Sequence, residues 1–138
     1  QPTRTRSHEV EDEIYIDAIE STMMEMAGDG DVVFVGRGGH VILKEMPNVL
    51  RVGIVASYED RIKTLMERES INEESATSRM RERDQARNHY FKKFFDMDEP
   101  DNPELFHFTV NSSEIKTDQA VDMIVRSLND LAEGRLAR

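Results

Sequence analysis

The sequence predicts an α/β protein, a three-layer αβα sandwich with a mostly parallel sheet in the middle. Three short apolar runs rich in β-branched or aromatic residues, Val32–Val35, Leu50–Val55 and Phe106–Val110, are nearly continuous rather than alternating. Such runs are typical of strands buried on both faces. Segments with helical periodicity separate them, and helices that alternate with buried strands indicate a parallel sheet. The length of 138 residues fits a single domain, residues 1–138.

The first helix is predicted to follow a polar and basic start, residues 1–6, which we expect to be disordered or to continue from an upstream segment. Ser7 can cap this helix, and Glu9 and Glu11 are favourable near its N-terminus. Side chains spaced at three and four residues predict one inward face. These are Tyr15, Ala18, Ile19, Thr22, Met23, Met26 and Ala27. The stretch Ala-Gly-Asp-Gly-Asp that follows is typical of a helix end.

Three further helices are predicted between and after the strands. Ser57 can cap the first of them, Asn72 can cap a long helix that reaches about Phe95, and Thr117 can cap the last. The inward side chains of the first are Ile62, Leu65 and Met66. Those of the last helix are Ala120, Val121, Ile124, Val125, Leu128 and Leu131. Helices and strands in this order complete the predicted sandwich.

Composition and charge limit the classes of partner. Lysine and arginine number 18 against 28 acidic residues, a net charge of −10, which argues against a broad nucleic-acid binder. No apolar run approaches the roughly 18 residues of a membrane span, so no membrane partner is expected. The chain has no cysteine, which fits a cytoplasmic location. The histidines show no metal-ligand spacing, so the residues predict no metal site.

The run Val32–Val35 leads directly into Gly36-Arg37-Gly38-Gly39. In open parallel sheets, ligands bind beyond the carboxyl ends of the strands. Glycines let backbone N–H groups approach an anion closely, and arginine offers a planar fork that matches phosphate oxygens. Gly36, Arg37 and Gly38 are therefore candidate substrate-binding residues. A tight turn with an exposed arginine is the alternative.

A second candidate site lies on the long helix. Side chains at three- and four-residue spacing form one stripe, and it contains Arg83 and Arg87 with Asp84 beside it. The stripe consists of Ala76, Met80, Arg83, Arg87, Phe91 and Phe94. Because burying a guanidinium without a partner is costly, the arginines either pair with carboxylates or point into a cleft that holds an anion. Spacing alone leaves both alternatives open.

Four segments together resemble the cytidylate kinase-like family of P-loop nucleotide kinases, over most of the chain. "VVFVGRGGHVILKEMPNVLRVGIVAS" is similar to the family's third strand, Gly-Arg turn and fourth strand. "EDRIKTLMERESINEESA" and "RERDQARNHYFKKFF" resemble its arginine-bearing lid helices. "DNPELFHFTVNSSEIKTDQAVDMI" resembles the last strand, the loop after it and the closing helix. The order and spacing of the four segments carry the resemblance.

The resemblance implies phosphoryl transfer from ATP, with Mg²⁺, to a pyrimidine nucleoside monophosphate such as CMP or dCMP. Arg37 would contact the phosphate of this nucleotide substrate. Arg83 and Arg87 would be catalytic and Asp84 substrate-binding, in the segment that closes over the phosphates and the base. Asn111, Ser112 and Ser113 would lie near the adenine of ATP. Arg61 and Arg68 match lid arginines more weakly.

The P-loop that holds ATP in such kinases has no counterpart here, because the pattern G-x-x-x-x-G-K-[ST] is absent from the sequence. The resemblance implies a partial P-loop kinase fold that lacks its first strands. The family's first strand would belong between the third and the fourth, so an upstream P-loop segment or a homo-oligomer could complete the sheet. We therefore expect this chain alone to be inactive. A non-catalytic nucleotide- or phosphate-binding regulatory module and an assembly domain remain the alternatives.

Overall fold

The computed structural model describes the backbone of residues 3–138 and the side chains of residues 8–138. The chain divides into two compact units, Gln1–Val49 and Leu50–Arg138. The expectation for residues 1–6 includes Gln1 and Pro2, which lie outside the described residues. None of the described helices is long and apolar enough to cross a membrane.

The first unit contains helix α1, Thr3–Asp29, and the single helical turn α2, Gly39–Ile42. Helix α1 begins before the predicted cap Ser7, because neither glycine nor proline separates Thr3 from Ser7. It ends in the predicted turn. Gly30 has φ 81°, and its N–H donates to the carbonyl of Met26 at 3.2 Å. This is the left-handed geometry that glycine allows at a helix end.

The inward face of α1 is narrower than predicted. Met23 is buried, and Ile16 and Ile19 are half-buried, while Tyr15, Ala18, Thr22 and Met26 are exposed. The prediction that these four face inward is wrong. The reason is length, because the four residues of α2 offer little surface to cover a helix of 27 residues.

The predicted strand Val32–Val35 is not a strand in this structure. Val33 is 88% exposed and Val35 89%, so the prediction of burial on both faces is also wrong. Asp31 and Gly36 have positive φ on either side of the segment. A strand forms only where a neighbour accepts and donates its backbone hydrogen bonds, and the sheet among the described residues has no member from this unit.

The other two predicted strands are confirmed. Strand β1, Val52–Val55, pairs in parallel with strand β2, Phe108–Asn111, in the register Val52 to Phe108. Two further backbone hydrogen bonds of 2.8 Å extend the ladder, one at each end. The mixed α/β class and the parallel pairing are therefore as predicted, and the sheet has two strands within residues 3–138.

Strand β1 is not buried on both faces. Gly53 is buried, whereas Ile54 is 65% exposed and Val55 is exposed as well. On β2, Val110 is almost fully buried and Thr109 is exposed. A two-stranded sheet offers too little area for helices to cover both of its faces, so the continuous apolar pattern of β1 overestimated its burial.

Helices α3, Tyr58–Glu69, and α4, Glu73–Phe95, form a helical hairpin with the predicted caps. The Ser57 hydroxyl accepts from the N–H of Asp60 at 3.2 Å, and the Asn72 side-chain oxygen accepts from the N–H of Ser75 at 2.9 Å. The core between the helices consists of Ile62, Leu65, Ala76 and Met80, with Met66 and Ile71 packed against it.

Helix α5, Thr117–Ala132, starts one residue earlier than predicted, because Lys116 rather than Thr117 is its N-cap, and no side chain caps it. Leu131 is buried, and Ala120 and Ile124 are half-buried. The prediction that all six apolar residues face inward is wrong for Val121, Val125 and Leu128, which are exposed. The apolar face of α5 is wider than the surface that its own unit covers.

The imidazole of His107 ties β1 to the segment that leads into β2. The backbone N–H of Arg51 donates to Nδ1 of His107 at 3.0 Å, and Nε of Arg51 donates to the Leu105 carbonyl at 3.0 Å. Burial, and then the positive charge of Arg51, lower the pKa of His107. The folded state therefore favours the neutral ring, whose Nδ1 lone pair accepts the hydrogen bond.

We expect the free energy of unfolding to fall as the pH drops from 7.5 to 5.5. The unfolded chain binds the His107 proton at a higher pH than the folded chain, so acid favours unfolding in this window. Urea titrations at several pH values measure the slope. His107→Gln should flatten it, whereas His89→Gln, at an exposed histidine of α4, should leave it unchanged. If His107→Gln kept the pH dependence of the wild type, the assignment of this dependence to His107 would be wrong.

Candidate functional site

The turn that carries Arg37 has an unusual backbone. Gly36, Arg37 and Gly38 have φ values of 75°, 59° and 75°, so three consecutive residues are left-handed. Glycine adopts this region without strain, but an arginine there costs about 1 kcal/mol or more. The two glycines adopt the turn without strain, so the conformational cost of the turn comes from Arg37 alone.

The turn is fixed by its own hydrogen bonds and by α1. The Gly39 N–H donates to the Gly36 carbonyl at 3.2 Å, and the Val41 N–H donates to the Gly38 carbonyl at 2.9 Å. Gly39 is buried, and a Cβ built on it would lie 3.5 Å from Sδ of Met23. Helix α1 therefore packs directly beside the turn.

Arg37 itself is exposed, and its Nη1 donates to the hydroxyl of Tyr15 on α1 at 2.9 Å. The structure thus brings the candidates Gly36, Arg37 and Gly38 together in one turn and links the arginine to a helix 22 residues earlier in the chain. This geometry fits both alternatives, an exposed arginine on a tight turn and a guanidinium that can receive an anion.

Arg83 and Arg87 are not buried on α4. Their side chains are 59% and 43% exposed, whereas Ala76, Met80 and Phe91 of the predicted stripe are buried. Helix α4 buries Ala76 and Met80 near its start and Phe91 near its end. No residue in the middle turns of α4 is buried, so the guanidinium groups there stay in contact with water.

Each of these arginines is paired with a carboxylate. Nη2 of Arg83 donates to Glu69 Oε1 at 2.5 Å, and Arg79 donates to the other oxygen of the same carboxylate. Arg87 and Asp101 form a bidentate ion pair, in which Nη1 donates to Oδ2 at 2.7 Å and Nη2 donates to Oδ1 at 2.8 Å. The Arg87 guanidinium also lies 4.9 Å from the centre of the Phe91 ring. The ion-pair alternative describes these side chains as they stand.

Asp84, the third candidate on α4, is an acceptor for Arg61 of α3. Nη2 of Arg61 donates to Oδ1 at 2.6 Å, and Nη1 donates to Oδ2 at 3.1 Å. This hydrogen bond is the main reason that the pKa of Arg61 is raised. Arg83, Asp84 and Arg87 are thus neighbours in sequence that contact three different partners.

Glu69 joins two arginines that stand one helical turn apart, Arg79 and Arg83. Arg83 first, and then Arg79, lower the pKa of Glu69 through hydrogen bonds. The contribution of this carboxylate to stability is therefore present above its unfolded pKa and is lost as the pH falls through its folded value. An external phosphate must compete with this carboxylate for the same guanidinium hydrogens.

Removing that competitor should strengthen anion binding. We expect Glu69→Gln to raise the affinity of the chain for pyrophosphate by up to about fivefold, the size expected for an exposed ion pair, and to lower stability slightly. Calorimetric titration at low salt measures the first effect and urea unfolding the second. Glu67→Gln removes the same charge from an exposed site of α3 and should change neither. Equal pyrophosphate affinities of Glu69→Gln and Glu67→Gln would contradict the competition between Glu69 and the anion.

Asn111 is the last residue of β2, and Ser112 and Ser113 begin the loop that follows it. The side chains of all three hold this loop in place. The Asn111 side-chain oxygen accepts from the N–H of Ser113 at 3.0 Å. The Ser112 hydroxyl donates to the Val55 carbonyl at 2.9 Å, and the Ser113 hydroxyl accepts from the N–H of Ser57 at 2.7 Å. The structure gives these atoms a role in joining the ends of β1 and β2, and an adenine contact stays a prediction.

The contacts add four residues that the sequence did not single out for the site, namely Tyr15, Glu69, Arg79 and Asp101. The spacing in the sequence could have indicated Arg79, because it stands four residues before Arg83 and eight before Arg87 on one helix. Tyr15 carried no such signal, since its spacing placed it on the inward face of α1. Among the described residues, no group of three or more His, Asp or Glu side chains could hold a metal ion.

Comparison with known proteins places the chain. A crystal structure of an uncharacterized protein from Eubacterium ventriosum has a similar fold, with a TM-score of 0.70 and 24% sequence identity over 80% of this chain. The chain spans 63% of the length of that protein. No curated protein matches the sequence. The model of the cytidylate kinase-like family matches residues 2–114, and the chain is therefore a member of the cytidylate kinase-like family.

Proposed function

We propose that the chain is the substrate-phosphate-binding and arginine-bearing part of a nucleoside monophosphate kinase-like domain. The complete domain would transfer a phosphoryl group from ATP to a pyrimidine nucleoside monophosphate, CMP or dCMP. The observation that carries the proposal is the left-handed turn Gly36-Arg37-Gly38 with its arginine exposed. Backbone strain that persists in a fold is found most often at ligand-binding and catalytic sites.

Arg37 would bind the phosphate of the nucleotide substrate. A guanidinium presents paired N–H donors that match two phosphate oxygens, and a charge-assisted pair of this kind is stronger than a neutral hydrogen bond. The preceding residue, Gly36, is exposed and has no side chain that could shield the backbone from an incoming anion, whereas Gly38 is buried. Both features suit a phosphate group better than an uncharged ligand.

Arg83 and Arg87 would stabilise the charge of the transferring phosphoryl group. Phosphoryl transfer needs positioning and positive charge rather than covalent help from the protein. Both guanidiniums are now paired with carboxylates, so this role requires an exchange in which phosphate oxygens replace Glu69 and Asp101. Asp84 would act on the substrate through Arg61, whose guanidinium it already holds.

The proposed fold is a partial P-loop kinase fold that lacks its first strands. Among the described residues β1 pairs with β2 alone, and the extended run Val32–Val35 belongs to no sheet. Both segments expose apolar side chains, Ile54 and Val55 in β1 and Val33 and Val35 in the extended run, as expected of strands whose neighbour is supplied from outside. An upstream P-loop segment would be that neighbour, and the chain alone would then be inactive.

ATP and Mg²⁺ are implied by the family. When bound, Mg-ATP would supply the phosphoryl group. The described residues do not fit these groups well, because they offer no carboxylate cluster for a metal and because the oxygens of Asn111, Ser112 and Ser113 already serve the loop. We therefore derive no step through Mg-ATP and assign to this chain the substrate phosphate and the lid arginines only.

A second candidate function is a non-catalytic nucleotide- or phosphate-binding regulatory module. The observation that favours it is the neutralisation of Arg83 and Arg87 by carboxylates while the Arg37 turn stays exposed. The exposed apolar side chains of Val33, Val35 and Ile54 favour the third candidate, an assembly domain that acts as a homo-oligomer. A cytoplasmic location stays a prediction for each of them.

A thermal-shift titration tests the proposal. CMP, dCMP, UMP, AMP and Mg-ATP are added in turn, and cytidine serves as the control that lacks a phosphate. We expect a pyrimidine monophosphate to raise Tm, since a ligand at 100 times its Kd stabilises a fold by about 2.7 kcal/mol. Cytidine should give a much smaller shift. No shift with any phosphorylated ligand would overturn the proposal, and CMP-dependent ADP formation by the chain alone would overturn its predicted inactivity.

A further inference from the structure

We propose that Tyr15 is a positioning residue for Arg37 and that it orients the guanidinium before a phosphate arrives. The inference rests on the proposed function of Arg37 and adds a residue that the sequence placed on the inward face of α1. Its basis is the hydrogen bond from Nη1 of Arg37 to the Tyr15 hydroxyl, at 2.9 Å.

The backbone on both sides of this contact is held in place. Helix α1 touches the turn at Met23, whose Sδ would lie 3.5 Å from a Cβ on Gly39. Tyr15 precedes Met23 by eight residues, about 12 Å along the helix axis. Arg37 therefore extends along α1 towards its N-terminus to reach the phenol. Two points on one rigid helix thus define where the turn and the guanidinium lie.

The chemistry of the pair suits orientation. An arginine side chain has many rotamers, and a ligand that must immobilise it loses affinity. A phenol hydroxyl can accept from the guanidinium without neutralising it, unlike the carboxylates that hold Arg83 and Arg87. The contact with Tyr15 therefore limits the rotation of the Arg37 side chain without itself neutralising the guanidinium. In this respect it differs from the ion pairs of Arg83 and Arg87.

Calorimetric titrations of CMP and cytidine into the wild-type chain, Tyr15→Phe, Arg37→Ala and the double variant test the inference. We expect Tyr15→Phe to weaken CMP binding about fivefold, the usual worth of one hydrogen bond, and to leave cytidine binding unchanged. It should have no effect in the Arg37→Ala background, because Tyr15 acts only through that arginine. Tyr58→Phe is the matched control at an exposed tyrosine outside this turn. A merely structural role for Tyr15 would change both ligands alike.

A measurement without ligand separates the inference from the proposed function. The ¹⁵N relaxation of Arg37 Nε reports the motion of its side chain, and we expect this motion to increase in Tyr15→Phe while the fold is retained. Equal motion in the two proteins overturns the positioning role, whether or not CMP binds. Loss of CMP affinity in Arg37→Ala with unchanged affinity in Tyr15→Phe also overturns it and leaves the proposed function intact. Absence of CMP binding together with increased Arg37 motion supports the positioning and overturns the proposed substrate.

Discussion

Replacing Arg37 with alanine is expected to weaken the binding of CMP by about 10- to 150-fold, because hydrogen bonds to charged groups contribute about 1.5–3 kcal/mol. The arginine stands in a left-handed backbone between two glycines and presents its guanidinium to solvent beside Tyr15. Calorimetric titration with CMP measures the effect. Arg126→Ala removes the same charge from an exposed site on α5 and should change the affinity little.

The same position allows a test in which stability and binding move in opposite directions. Arg37→Gly should raise the free energy of unfolding by up to about 1 kcal/mol, because glycine adopts a φ of 59° without strain. It should lose CMP affinity as completely as Arg37→Ala. Arg37→Lys keeps the charge but not the planar fork, so its CMP affinity should fall between those of the wild type and Arg37→Ala. A glycine variant that binds CMP as well as the wild type would show that the strain serves something other than phosphate.

The sequence predicted the local structure of the second unit well because the relevant forces there are local. The caps Ser57 and Asn72, the parallel strands β1 and β2 and the core pair Ile62 and Leu65 are confirmed. A cap needs one side-chain oxygen and a free backbone N–H within three residues, and a helical stripe needs only its own periodicity. Such signals are complete within a short window of the chain.

The failures concern features that depend on a neighbour. The run Val32–Val35 has strand composition, but its pairing requires backbone groups that the described residues do not provide. Val121 and Val125 have the spacing of an inward face, but burial requires a second surface of matching area. Composition shows what a segment prefers, and only the surrounding structure decides whether the preference is met.

The candidate site divides in the same way. Gly36, Arg37 and Gly38 could be identified because glycines beside a lone arginine at the end of an apolar run are unusual in themselves. The partners of the α4 arginines could not be identified, because Glu69 and Asp101 are each 14 residues from the arginine they hold, within a chain of 28 acidic residues. Charge pairing between distant residues leaves no periodic signal in a single sequence.

Replacing Gly53 with valine is expected to destabilise the fold by about 2–3 kcal/mol, through overpacking at the centre of β1. Gly53 is buried and stands opposite Thr109 in the parallel register. A Cβ on Gly53 would lie 2.7 Å from Oγ1 of Thr109 and 3.4 Å from two atoms of the Phe106 ring. Valine adds two further methyl groups to a space in which one carbon already requires the Thr109 side chain to move, and this outweighs the preference of valine for strands. Urea unfolding measures the loss.

A second replacement identifies the cause. Thr109→Ala removes the oxygen that the new Cβ would meet, so the pair Gly53→Ala with Thr109→Ala should recover most of the stability that Gly53→Ala loses. Gly28→Ala is the matched control, because a Cβ at this glycine of α1 would meet nothing within 4 Å; it should be neutral or slightly stabilising. Equal losses for Gly53→Ala with and without the Thr109 hydroxyl would contradict a clash with Thr109 and would assign the loss to the Phe106 ring, 3.4 Å from the same Cβ.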